Sequence, residues 1–242
     1  MTVIALASPR STRDVVRLHF LQTQLLLVAP LFVIALGFIV TAVITAIFWR
    51  IGVTPGSEDW VDSSRVNPAM TWVLPGLLGY VGVQMVSLTF PLALTLGTTR
   101  RAFTFGTLLT QVVIASYVTA VLSIMLFIEL ASGHWFLELY VVDVTVLGGG
   151  DPLRLAAIVF LGTLLILSMG AAFAAAWVRF GTVGPIALAA GTVVSLGLIA
   201  LAIAPVVIAS TFEPWWLVAA AVTMIALSAA AQYLCLLRAS VR

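Results

Sequence analysis

Six long apolar runs decide what this chain can fold into. They cover roughly residues 25–49, 70–92, 105–129, 155–177, 186–205 and 215–237. The hydrocarbon core of a bilayer is about 30 Å thick, and an α-helix of roughly 20 residues crosses it. The runs are continuous and lack the alternation that is typical of strands in a transmembrane barrel. They therefore predict an all-α integral membrane protein with six transmembrane helices.

Composition excludes a soluble globular domain. The 242 residues are 62% hydrophobic and 8% charged, and their mean hydropathy is +1.21. A soluble domain of this length could not cover so much apolar surface. We therefore predict a single transmembrane domain over residues 1–242. Its start, MTVIALASPRSTR, has no charged segment before the short apolar run, which argues against a cleaved signal peptide.

Arginine placement predicts the orientation, because positive residues stay on the cytoplasmic side of short loops. With a cytoplasmic N-terminus, the inner segments contain Asp14 as their one acidic residue and eight arginines: Arg10, Arg13, Arg17, Arg100, Arg101, Arg179, Arg238 and Arg242. The opposite segments then contain three arginines and eight acidic residues. We therefore expect both termini to be cytoplasmic.

Two segments outside the apolar runs also predict helices. Residues 10–24 place Ser11 and Asp14 at the spacing of a capping box, which predicts an interfacial helix on the inner membrane surface. A frayed cytoplasmic tail is the alternative. In the second outer loop, HWFLELYVVD, residues 134–143, predicts a short interfacial helix. Pro30 predicts a bend within the first span.

The absence of certain residue types from this sequence argues against ion-coupled transport, proton pumping and ATP binding. The interiors of the runs contain no ionisable residue, whereas ion-coupled transporters and proton pumps need them. The chain contains no lysine and so cannot form a phosphate loop that binds ATP. We expect no catalytic centre, metal or cofactor in this chain, so any ATP, with its magnesium, would be hydrolysed on a partner.

Three glutamines lie at mid-depth or in the inner half of the runs: Gln84, Gln111 and Gln232. Hydrogen bonding between helices is the first interpretation of such residues. The alternative is that they line a polar pathway that opens toward the inner side.

The segment FPLALTLGTTRRAF, residues 90–103, joins the second and third runs. Pro91 predicts a kink near the end of the second span. Gly97 suits a helix C-terminus, and Thr98 or Thr99 can cap a new short helix. The pattern predicts a compact cytoplasmic elbow over residues 91–104.

The arginines of this elbow admit two interpretations. As positive anchors of the membrane topology they need no partner. A short helix in the groove of a partner would also use the neighbouring residues, with Leu96 and Phe103 as apolar anchors and the arginines paired with acidic residues. This second interpretation predicts an interface formed by Leu96, Gly97, Thr99, Arg100, Arg101 and Phe103.

The longer segment SLTFPLALTLGTTRRAFTFGT, residues 87–107, resembles a segment of permease subunits of the type-2 ATP-binding-cassette exporter family. There the second and third spans are joined by a sequence of the form S-F-P-x-A-L-x-L-G-x-[ST]-R-[RK]-x-F-x-x-G. Thr89 stands where a serine is expected. The matching positions are Phe90, Pro91, Ala93, Leu94, Leu96, Gly97, Thr99, Arg100, Arg101, Phe103 and Gly106.

This resemblance implies a subunit of an exporter in a bacterial plasma membrane. The chain would pair with a second copy or a sister permease, and the elbow would act as the coupling helix that contacts a separate ATPase subunit. In the family a re-entrant outer hairpin often joins the fifth and sixth spans, and here only residues 206–214 are available for it. A membrane scaffold or sensor that does not use ATP is one alternative, and an intramembrane enzyme that uses His134 or Glu129 is another.

Overall fold

The computed structural model describes residues 11–67, 69–208 and 215–239. These residues form nine α-helices: α1 Thr12–Phe20, α2 Ala29–Arg50, α3 Glu58–Arg65, α4 Ala69–Ser87, α5 Thr89–Thr95, α6 Arg100–Ala131, α7 Pro152–Phe180, α8 Val183–Ile208 and α9 Trp215–Leu237. A π-helical turn, Gln24–Val28, precedes α2, and a 3-10 turn, Thr145–Leu147, precedes α7. Arg10, Arg242 and most of the predicted 206–214 connection lie outside the described residues.

Six helical stretches are long and apolar enough to cross a membrane: Gln24–Arg50, Glu58–Thr95, Arg100–Ala131, Pro152–Phe180, Val183–Leu201 and Trp215–Leu237. Each contains or overlaps one predicted run. The prediction of an all-helical chain with six candidate membrane spans is therefore confirmed.

Prolines interrupt two of these stretches. Pro91 has no N–H to donate to the carbonyl of Ser87, four residues earlier, and its ring crowds that carbonyl. As a consequence α4 ends at Ser87 and α5 begins at Thr89, so the predicted kink lies at Leu88. Pro30 follows the π-helical turn, at the point where the regular α-helix begins.

The helices divide into two compact units. The described residues of the first unit fall within 1–21, 81–111 and 165–242. Its buried core consists of Val15, Val86, Phe90, Ala93, Phe103, Ala171, Ala174, Ala175, Leu236 and Ala239. The predicted capping box of α1 is confirmed, since Ser11 and Asp14 each bond to the other's backbone N–H.

Residues 22–80 and 112–164 form the second unit. Its helix α3 is fixed by Trp60, whose indole N–H donates to the carbonyl of Glu138 at 2.8 Å. The interfacial helix predicted from residue 134 onward is wrong. His134, Trp135, Phe136 and Glu138 have φ values of 54°, 58°, 62° and 53°, so the segment is a left-handed turn. Contacts from outside the segment hold it in this conformation, which non-glycine residues adopt at a cost.

Candidate partner interface at the elbow between α5 and α6

A glycine ends the helix that forms the first half of the elbow. Gly97 adopts φ +83°, which is in the left-handed region. Its N–H donates to the carbonyl of Leu94 at 3.0 Å, and the N–H of Thr98 donates to the carbonyl of Ala93 at 3.0 Å. These bonds satisfy the last carbonyls of α5, as in a Schellman ending. The helix C-terminus predicted at Gly97 is therefore confirmed.

A threonine caps the helix that forms the second half of the elbow. The hydroxyl oxygen of Thr99 accepts a hydrogen bond from the N–H of Ala102 at 3.2 Å, which is the N-cap arrangement. The helix that it caps is α6, which continues for 32 residues. The prediction of a separate short helix for the arginines is therefore wrong. No residue after Thr99 breaks the helix, so Arg100 and Arg101 form the first turn of the third apolar helix.

Arg100 has a role inside the chain. Its guanidinium Nη1 donates to the carbonyl of Leu237 at 2.8 Å. Arg179 donates in the same way to the carbonyl of Leu234 at 3.2 Å. Two cations thus bind carbonyls in the last turn of α9, where they also complement the helix dipole. Sequence reasoning missed this contact because Arg100 and Leu237 are far apart along the chain.

Phe103 does not fit the anchor role predicted for it. Its side chain is fully buried, with its ring centroid 5.1 Å from that of Phe90 and 5.8 Å from that of His19. It is therefore unavailable to a partner. One helical turn later, Gly106 makes room for α1, since a Cβ there would lie 2.5 Å from Cβ of Val15.

The surface that remains at the elbow consists of leucines, Gly97, Thr99 and Arg101. Leu88 and Leu92 are 56% and 48% exposed, and Leu96 continues the same four-residue spacing in a partly buried position. Arg101 is exposed, whereas Arg100 is only partly so. The structure thus removes Phe103 from the predicted interface and leaves Leu96, Gly97, Thr99 and Arg101 accessible, with Leu88 and Leu92 exposed beside them.

His19 connects α1 to the start of α6. Its Nε2 lies 3.1 Å from the hydroxyl oxygen of Thr107, and that hydroxyl donates its own hydrogen to the carbonyl of Phe103. The Thr107 oxygen is therefore the acceptor, and Nε2 of His19 carries a proton and donates it. Burial favours the neutral ring and lowers the pKa of His19 from 6.5 to about 4.

This pKa shift predicts that α1 is released in acid. Below about pH 6.5 an exposed His19 becomes protonated, which favours the state in which α1 is undocked. The free energy that favours docking of α1 is therefore at its full value above that pH, and it decreases by about 3 kcal/mol as the pH falls toward 4. Hydrogen exchange of residues 12–20, corrected for intrinsic rates, should show this loss of protection. His19→Gln can keep the bond to Thr107 but does not titrate, so its protection should vary less. Equal pH profiles in both proteins would contradict the role of His19.

Two of the predicted pathway glutamines are fully buried. The amide nitrogen and oxygen of Gln111 and of Gln232 have no hydrogen-bond partner among the described residues. Gln84 is partly buried, and its Oε1 accepts a bond from the hydroxyl of Ser87 at 3.4 Å. Hydrogen bonding between helices, the first interpretation of these residues, is therefore absent for Gln111 and Gln232 in the described part of the chain.

The polar residues of the second unit form a structural cluster. The carboxylate of Glu129 is fully buried and accepts from the backbone N–H groups of Val141, Val142 and Asp143 at 2.9, 2.8 and 3.2 Å. Asp143 in turn pairs with Arg65 at 2.9 Å and lies 3.2 Å from Nε2 of His134. The residues on which the enzyme alternative relies thus hold the loop in shape.

Comparison of the chain with family models, with curated proteins and with solved structures found no match.

Proposed function

We propose that this chain is the membrane-spanning subunit of an ATP-driven exporter of the type-2 ATP-binding-cassette family. It forms the translocation pathway with a second copy or a sister permease, and a separate ATPase subunit drives it. The observation that supports this proposal is the segment 87–107, which combines the family-like sequence with a compact elbow between two apolar helices. Six candidate membrane spans agree with it.

The elbow offers a direct mechanical connection to the pathway helices. Arg101 lies in the first turn of α6, so displacement of the elbow by an ATPase subunit moves the N-terminus of that long helix. Through the bond between Arg100 and the carbonyl of Leu237, the same displacement reaches the end of α9. ATP and magnesium bind to the partner, and this chain contributes the path for the transported compound. Such motion of helices around a central site would alternate access.

Purification of the tagged chain from its native membrane in mild detergent tests this function. The proposal predicts that an ATP-binding subunit accompanies the chain in stoichiometric amount and that the eluate hydrolyses ATP. If other membrane complexes survive the same detergent and no ATPase is recovered, the scaffold or sensor alternative becomes the better account.

Arg101 carries the charge that we expect the partner to contact. Arg101→Glu replaces attraction to an acidic rim by repulsion, and ATPase recovery should fall at least about tenfold, equivalent to about 1.4 kcal/mol. Arg13→Glu is the matched control, because Arg13 is also exposed and the variant changes the charge of the predicted inner face equally. Equal recovery with both variants would remove Arg101 from the interface.

A further inference from the structure

A cavity of about 400 Å³ that is open to the surface lies in the second unit, between α2, α3 and the turn over residues 134–138. Ala42 and Ala46 on α2 form part of one wall, and Trp60 and Leu137 contribute to the rest. A volume of this size is within the range of pockets that bind small molecules.

The walls are formed without a ligand. Trp60 is 2% exposed and is held by its bond to the carbonyl of Glu138. Beyond the turn, the buried carboxylate of Glu129 fixes the backbone from Val141 to Asp143. A left-handed turn of non-glycine residues persists only when its surroundings determine it. The cavity is therefore a preorganised feature of the fold.

The apolar lining of the cavity suits a hydrocarbon ligand. Apart from Thr45 and Glu138, its side chains are apolar, and the α2 wall belongs to a helix apolar enough to cross a membrane. Trp49 and Leu137 line the cavity and are nevertheless 69% and 72% exposed. Exposed tryptophan at the end of an apolar helix is typical of the membrane interface. We therefore expect lipid around this part of α2.

One charged residue of the lining, Glu138, and one that follows the lining residues of α2, Arg50, indicate the headgroup. Arg50 lies one turn after Ala46 on α2 and is exposed, and it forms no ion pair among the described residues. A guanidinium of this kind binds phosphate. Glu138 lines the cavity and accepts a hydrogen bond from the hydroxyl of Tyr140 at 3.4 Å. A headgroup with both a phosphate and an ammonium would suit the pair.

We propose that this cavity holds an acyl chain of one zwitterionic phospholipid, with its phosphate at Arg50 and its ammonium near Glu138. The site is independent of an ATPase partner. It differs from ordinary lipid contact because one molecule is retained in a shaped cavity.

Native mass spectrometry of the detergent-purified chain tests retention. The wild-type protein should carry one phospholipid after delipidating washes. Ala46→Trp fills the cavity and should reduce that occupancy at least tenfold. Val43→Trp is the control, because Val43 is 54% exposed on the same helix and does not line the cavity. Equal lipid retention in the two variants, or none in the wild type, would overturn the proposal.

A second measurement needs no variant. The wild-type chain is placed in vesicles that contain phosphatidylethanolamine with a photoreactive group in its acyl chain. Adducts should concentrate on residues 42–49 and 136–139 relative to the exposed Val193 and Leu198 of α8. Phosphatidylglycerol with the same group, which lacks the ammonium, should give fewer of them. Uniform labelling of all exposed apolar residues would mean bulk lipid contact and would also overturn the proposal.

Discussion

Replacement of Glu129 by alanine is expected to destabilise the unit formed by residues 22–80 and 112–164 by about 3 to 5 kcal/mol. The carboxylate is fully buried and accepts hydrogen bonds from Val141, Val142 and Asp143. Without it, three backbone N–H groups lose their acceptor at once. Glu129→Gln should have an intermediate effect, since its amide oxygen can accept some of these bonds.

Thermal unfolding in detergent, followed by tryptophan fluorescence, measures the effect of removing Glu129. Glu58→Ala is the control, because Glu58 is exposed in the first turn of α3. Its substitution should cost well under about 1 kcal/mol. If Glu129→Ala unfolds at the same temperature as Glu58→Ala, the carboxylate does not hold the loop.

Addition of one methyl group at Gly82 is expected to have the second large effect. A Cβ at this position would overlap the backbone carbonyl of Leu167, where α4 and α7 meet. A carbonyl within a helix cannot rotate away as a side chain can, so the two helices must separate. We expect Gly82→Ala to destabilise the first unit by about 2 to 3 kcal/mol.

Gly76 on the same helix provides the matched control for this substitution. A Cβ at Gly76 would meet no atom within 4 Å. Gly76→Ala should therefore leave the unfolding temperature unchanged or raise it slightly, because alanine is the better helix former. Equal unfolding temperatures for the two variants would contradict the close approach of α4 and α7.

The helices were predictable because hydrophobic pattern and local chemistry determine them. A continuous apolar run of about 20 residues requires a helix wherever lipid is the solvent. The ends of the elbow were also encoded locally, since Gly97 needs the left-handed region and Thr99 caps the following turn. These predictions depended on neighbours within a few residues.

The contacts of the elbow were not predictable, because they depend on residues far away in sequence. The sequence predicts Arg100 in a partner interface, yet it binds the carbonyl of Leu237. The sequence predicts Phe103 as an apolar anchor for a partner, yet it contributes to the core of the first unit. The pattern of apolar residues does not say which face of a membrane helix meets protein and which meets lipid.

The left-handed turn over residues 134–138 was also not predictable, because only the preceding Gly133, a residue that adopts positive φ easily, indicates it locally. Residues 134–138 have a composition that suits a helix at the interface, and the bond from the Trp60 indole to Glu138 fixes one end of the turn from outside. Such tertiary contacts override local preference.

Site-specific crosslinking from the elbow tests the central claim most directly. A photoreactive amino acid replaces Leu92, which is 48% exposed on α5, or Phe127, which is 58% exposed near the other end of α6. After irradiation of the native membrane, the proposed function predicts that Leu92 becomes attached to an ATP-binding subunit and that Phe127 does not. Absence of that adduct from Leu92, while Phe127 still reacts with lipid or protein, would contradict the account of the elbow as the contact with an ATPase.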